Sequence, residues 1–313
     1  MKILQLDENH PYILWKLRQE GFICDEDHTT PKEAIEAIIA PYEGIILRSR
    51  FTIDRDFVDR AQNLKFIARV GSGLENIDVD YARERGISLL HAPEGNRYAV
   101  AEHVIGSLLC LMNHICRANK EVRQGKWIRE GNRGVELMGK AVGIIGYGHT
   151  GRALARRLSG FDTQVFCYDI LSGISDDYAQ QVSLKMLFET ADMVSLHVPY
   201  STARGMVDSC FIDSFRKPFY LINASRGGCV VTDDLVIALK SGKILGACLD
   251  VLEYEKTSFE ALFHNGLSET FQYLIQSDKV ILTPHIAGWT YESKYRLAQC
   301  IVEKILTLYQ NPS

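Results

Sequence analysis

Three side chains in the second half of the chain are of the types that proton and carboxylate chemistry needs, and each lies just beyond an apolar run. Arg226 follows Tyr220-Leu221-Ile222-Asn223 and precedes Gly227-Gly228. Glu255 lies past Gly246-Ala247-Cys248-Leu249 and Asp250, and His285 follows Val280-Ile281-Leu282 and Thr283-Pro284. A guanidinium fork binds a carboxylate through two parallel N–H donors. An imidazole takes or gives a hydroxyl proton, and a carboxylate beside it orients the ring and favours its charged form. Singly, each residue has a plainer reading: a solvated arginine, a surface acid beside Tyr254 and Lys256, a structural histidine. Their joint placement after three strand ends of one fold is what favours chemistry.

That fold is announced by Ala141-Val142-Gly143-Ile144-Ile145-Gly146-Tyr147-Gly148-His149-Thr150-Gly151-Arg152. The apolar run ends at Gly146, and Gly146, Gly148 and Gly151 form G-x-G-x-x-G before an amphipathic helix from Thr150 to Leu158. Gly146 permits a tight turn, Gly148 lets a pyrophosphate approach the backbone, and Gly151 lets the helix pack close to the strand. Glycine clusters alone often mark ordinary turns. Here a second strand, Gln164 to Tyr168, ends at Asp169, eighteen residues past Gly151, where an acid holds the adenosine ribose hydroxyls. The order strand, glycines, helix, strand, acid predicts dinucleotide binding. Asp169 selects NAD, because a carboxylate there repels the 2′-phosphate of NADP.

The first hundred residues alternate in the same way. Strands are predicted at Met1 to Leu6, Phe22 to Cys24, Gly44 to Leu47, Leu64 to Ala68 and Ile87 to Leu90, with helices at Tyr12 to Glu20, Pro31 to Ala40 and Ile53 to Gln62. Such alternation means an α/β fold with parallel sheets, whose sites lie beyond the carboxyl ends of the strands. Arg48, Arg50, Arg69, Gly71 and Gly73 fall there. Asn96 to Lys120 reads as one long apolar helix crossing to a second domain. Tyr291 to Gln310 reads as a final helix returning to the first, which makes that domain discontinuous. The expected division is 1–97 plus 289–313 for a substrate-binding domain and 98–288 for an NAD-binding one.

Bulk properties narrow the rest. At 313 residues the chain suits two cores, and 46% hydrophobic with 24% charged residues is ordinary for a globular protein. A net charge of −4 gives no reason to expect nucleic acid or an anionic membrane as partner. The eight cysteines are scattered without a C-x-x-C pair and read as reduced thiols of a cytoplasmic protein, and no metal site is expected. Neither a signal peptide nor a membrane-spanning run is seen.

The motifs together resemble the D-isomer-specific 2-hydroxyacid dehydrogenases, and among them the D-3-phosphoglycerate dehydrogenases. The resemblance runs from about Gly44 onward. It is carried by Gly71-Ser72-Gly73-Leu74-Glu75-Asn76-Ile77-Asp78, Val100-Ala101-Glu102, Gly143 to Gly151, His197-Val198-Pro199, Asn223 to Gly228, Gly246 to Glu255, and Thr283 to Gly288. It implies two Rossmann-like or flavodoxin-like parallel-sheet domains with the active site in the cleft between them. It implies Arg226 as the substrate binder, His285 as acid/base and Glu255, rather than Glu253, as its partner. Cofactor contacts fall to Gly146, Gly148, His149, Thr150, Gly151, Asp169, His197, Pro199, Ala224 and Asp250, the last at the nicotinamide carboxamide. Ser72 and Gly73 match the loop whose amides hold the substrate carboxylate, and Arg48 and Arg69 match arginines near a substrate phosphate, with Arg50 adding positive charge. A homodimer built on the helix after Asn96 and the segment around Trp127 is implied as well.

Departures from the pattern are Lys256 in place of a proline, about thirty residues between Glu255 and His285, Thr150 for an aliphatic residue, Trp289 for a small one, and a Pro199-to-Arg204 loop one residue short. The leading expectation is NAD-dependent oxidation of D-3-phosphoglycerate, as in serine biosynthesis. The alternatives are reduction of an unphosphorylated 2-keto acid such as glyoxylate, hydroxypyruvate or pyruvate, and, more remotely, an NAD-sensing corepressor-like protein.

Overall fold

The structure is a computed structural model and describes residues 1–255 and 268–310. Lys256, one of the noted departures, and part of the segment before His285 lie outside the described residues. The chain divides into two compact units, Met1–Arg97 with the chain from Trp289 onward, and Tyr98–Glu255 with the chain up to Gly288.

The first unit is a five-stranded, all-parallel sheet of β1 (Lys2–Gln5), β2 (Ile23–Glu26), β3 (Gly44–Leu47), β4 (Phe66–Arg69) and β5 (Ser88–His91), in the order β2-β1-β3-β4-β5. Alternate strand residues serve opposite faces. Leu4, Ile45, Leu47 and Ile67 pack on one face, against Ile35, Phe57 and Ala82 of three helices. Ile3, Ile46, Phe66 and Ala68 pack on the other, against Ile13 and Leu17 and against Ala298, Ile301, Val302 and Ile305 of the helix Tyr291–Gln310. The last helix is thus an integral wall of the first sheet.

The second unit carries seven parallel strands: β6 (Ala141–Ile145), β7 (Gln164–Tyr168), β8 (Gln180–Gln181), β9 (Met193–Leu196), β10 (Phe219–Asn223), β11 (Ile244–Leu249) and β12 (Val280–Leu282). Their order is β12-β11-β10-β9-β6-β7-β8, so the winding direction reverses between β6 and β9. In a doubly wound sheet, that reversal point is where a dinucleotide binds. Val194, Leu196, Leu221 and Leu249 bury one face, and Val142, Ile144, Ile222 and Cys248 the other.

The single helix expected from Asn96 to Lys120 is two, Arg97–Met112 and Ile115–Arg123, bent by 60°. His114 adopts a left-handed conformation (φ 52°), which ends the i→i−4 ladder, and the Val135 amide takes the freed Met112 carbonyl at 3.0 Å. Apolar periodicity alone does not show such a break. Among the described residues no single helix is long and apolar enough to cross a membrane.

Candidate active site

The glycine turn is shaped as its sequence requires. Gly146 has φ +90°, and a Cβ there would lie 2.4 Å from the His197 carbonyl oxygen at the end of β9. At Gly151 a Cβ would lie 2.3 Å from the Gly146 oxygen, so helix His149–Leu158 sits hard against the turn. Around Gly148 nothing lies within 4 Å, and no side chain caps the helix's first turn. This is an open, N–H-lined cradle of the kind a pyrophosphate fills. Beyond β7, Asp169 accepts the Tyr147 amide at 2.7 Å and the Leu171 amide at 3.1 Å, one on each oxygen. Each oxygen keeps a lone pair for a ribose hydroxyl. Arg152, the cation next to the turn, is already paired with Asp176 at 2.6 Å. The residues fit NAD.

His149 is exposed, Thr150 half-buried and Pro199 exposed at the start of the short helix Tyr200–Ala203. The His197 ring meets the Ser195 hydroxyl at 2.8 Å, and its loss of water lowers its pKa to about 4, so it is neutral.

Past β10, β11 and β12 come the three reactive groups. His285 Nδ1 lies 2.8 Å from Glu255 Oε2, while Glu255 Oε1 accepts the Leu252 amide at 2.5 Å. Glu253, the competing acid, instead accepts the Thr232 amide at the head of another helix. Arg226 is extended, with its Nη1 donating to the Ser225 carbonyl at 2.7 Å. Its loop is held by Asn223, which donates to the Arg226 carbonyl and accepts from both the amide and hydroxyl of Ser225. A Cβ on Gly227 would lie 1.9 Å from the Leu252 oxygen, so only glycine lets the Arg226 loop rest on the chain leading to Glu255. Ala224 lies inside this loop. Asp250 is 4% exposed and accepts the Thr283 hydroxyl and the Ile286 and Ala287 amides. One of its four lone-pair positions remains for a carboxamide.

In the first unit, the Ser72 and Gly73 amides make no hydrogen bond among the described residues, as a carboxylate-binding nest requires. The Ser72 carbonyl is fixed by His91 Nδ1 at 2.7 Å and its hydroxyl by Asn96 at 2.9 Å. Arg69 folds over Gly71 and donates Nε to the Arg48 carbonyl at 3.2 Å. Arg50 does not add to the charge available there. Its guanidinium binds the carbonyls of Leu6, Asp27 and Thr30, which closes the strand ends structurally. Arg48 is different. It stacks on the Trp289 indole at 4.2 Å, burial lowers its pKa against the opposing pull of Asp7, and its guanidinium makes no hydrogen bond or ion pair among the described residues.

The sequence reading did not single out Asn223 as a support or the Tyr147–Asp176 contact at 2.7 Å that ties the glycine turn to the segment after Asp169. For Asn223 the clue was its place at a strand end ahead of Arg226. Tyr147 and Asp176 are 29 residues apart with no spacing rule to join them.

Comparison with known proteins places the chain in a family. The sequence model for "D-isomer specific 2-hydroxyacid dehydrogenase, NAD binding domain" matches residues 105–287. The chain belongs to the D-isomer specific 2-hydroxyacid dehydrogenases. This is a family of NAD-dependent oxidoreductases, and residues 105–287 match its NAD-binding domain. The chain is 32% identical to the D-3-phosphoglycerate dehydrogenase of Archaeoglobus fulgidus over 98% of its own length, and spans 57% of that protein. It is 34% identical to the hydroxypyruvate reductase of Thermotoga maritima, covering 88% of this chain and 87% of that one. A D-lactate dehydrogenase from Aquifex aeolicus, solved with NAD and lactic acid, superposes with a TM-score of 0.83 at 26% identity, over 99% and 95% of the two chains.

Proposed function

We propose that the protein oxidises D-3-phosphoglycerate, or reduces the corresponding 2-keto acid, with NAD as cofactor. NAD, when bound, supplies the hydride acceptor at nicotinamide C4. With Nδ1 on Glu255, the His285 ring is the group that takes the substrate hydroxyl's proton on oxidation and returns it on reduction. The Glu255 carboxylate stabilises the imidazolium that results. Arg226 is the fork for the substrate carboxylate and carbonyl, and the Ser72–Gly73 loop offers backbone amides of the kind a carboxylate takes. On this reading Met1–Arg97 with the C-terminal helix is the substrate-binding domain, the cofactor contacts are those named at the glycine turn and strand ends, and the protein is a homodimer.

One observation carries the phosphate: the Arg48 guanidinium is partly buried and, beyond the distant pull of Asp7, forms no ion pair among the described residues. A buried charge is costly unless paired, and a phosphate is a partner of matching geometry. The Trp289 indole that covers one face of Arg48 favours a second reading, a small unphosphorylated acid such as hydroxypyruvate, glyoxylate or pyruvate. A substrate panel with NADH separates them. Arg48→Ala should raise KM for phosphohydroxypyruvate at least tenfold, since a hydrogen bond to a charged group is worth about 1.5–3 kcal/mol, and leave glyoxylate nearly unchanged. Equal losses on both, or faster wild-type turnover of unphosphorylated acids, would favour the second reading.

A further inference from the structure

His285 is held in a conformation that histidine seldom adopts, with φ +56°. Beside a bond from the His285 amide to the Thr283 carbonyl at 3.0 Å, the turn is held largely by Asp250. The amides of His285, Ile286 and Ala287 donate in succession to Asp250, at 2.8 Å to its carbonyl, 2.9 Å to Oδ1 and 2.8 Å to Oδ2. The Thr283 hydroxyl adds a fourth donor at 2.6 Å to Oδ1. A hydroxyl has a single proton, and Thr283 spends it on Asp250. The 3.1 Å contact between Thr283 Oγ1 and His103 Nε2 is therefore a bond donated by the imidazole, with the same nitrogen 3.6 Å from Asp250 Oδ1. The result is a chain of donors and acceptors from His103, on the helix Arg97–Met112, through Thr283 to Asp250 and into the backbone that aims His285 at Glu255.

We propose that Thr283 and His103 are positioning residues for the acid/base step. They hold the Asp250 carboxylate in the orientation that captures the two amides after His285, and the turn so held keeps Nδ1 on Glu255. The proposal rests on the reading of His285 as acid/base, and the tests separate the two. Three readings are taken on Thr283→Val, Thr283→Ser and His103→Leu. These are kcat and KM with NADH and the best keto acid, the neutral-ring tautomer of His285 by ¹⁵N NMR in cofactor-free protein (assigned by its loss in His285→Ala), and Tm.

Thr283→Val should lower kcat tenfold or more with KM within threefold, and convert a single Nδ1–H tautomer into a mixture. Thr283→Ser should restore both, and His103→Leu should give a smaller change in the same direction. A lowered Tm with kcat and tautomer unmoved overturns the proposal. If Thr283→Val does not fold, the same readings on His103→Leu decide. Near-normal turnover in His285→Ala would overturn the acid/base reading alone, and the tautomer measurement would still decide for or against the positioning.

Discussion

His197 illustrates how an uncharged histidine can be recognised by what surrounds it. Its neighbours strip it of water and hold its pKa near 4 in the folded protein, against 6.5 ordinarily. The unfolded chain therefore binds a proton below about pH 6.5 that the folded one refuses until about pH 4. Stability from this residue is fully present above pH 6.5 and is lost as pH falls through that interval, because there the unfolded state binds more protons. Between pH 7 and pH 5 the loss is about 2 kcal/mol at one pKa unit per 1.36 kcal/mol. Urea unfolding without cofactor should show His197→Asn losing less stability than the wild type over that range, by about 1–2 kcal/mol. Parallel declines in the two proteins would mean that His197 is not held neutral.

The glycines of the dinucleotide turn divide labour between the fold and the ligand. A methyl at Gly151 would press on the Gly146 carbonyl, whereas one at Gly148 would meet only open space. Gly151→Ala should therefore lower Tm, at a cost of about 1–3 kcal/mol for overpacking, and weaken NADH binding as well. Gly148→Ala should leave Tm unchanged and still weaken NADH at least tenfold, because its methyl occupies the cradle. Calorimetry and NADH fluorescence titration distinguish them, and normal affinity in Gly148→Ala would count against the cradle. This turn was legible because strand, glycines and acid are close in sequence and each answers a local requirement. Strands such as Gly44–Leu47 and Gln164–Tyr168 were legible as short apolar runs with clear ends. The break at His114 was not, since neither glycine nor proline marks it and Asn113-His114 runs straight from one helical stretch into the next. Nor was the commitment of Arg50 to three carbonyls, because a guanidinium's partners depend on where distant strand ends come to lie.

On the scale of the molecule, one stretch of the second unit exposes several large apolar side chains. Trp127 is 81% exposed, and Ile115, Val122, Ile128 and Met138 are exposed on the helix Ile115–Arg123 and the segment that follows. Light scattering at micromolar concentration should return twice the 35.3 kDa of the chain, and Trp127→Glu should return the single mass. A wild-type monomer would leave this apolar surface to another purpose.

The stacking of Arg48 on Trp289 also makes the first unit an optical instrument. The chain has three tryptophans, and among the described residues only Trp289 lies against a guanidinium in this way. A cation over an indole face perturbs its electrons, so an anion that draws Arg48 away or neutralises it alters the light that Trp289 emits. With Trp15 and Trp127 replaced by phenylalanine, adding phosphohydroxypyruvate without any nucleotide should change the emission, and glyoxylate should not. A silent signal with both would mean that the guanidinium never leaves the ring. The substrate's far end could thus be followed in a cuvette before any turnover takes place.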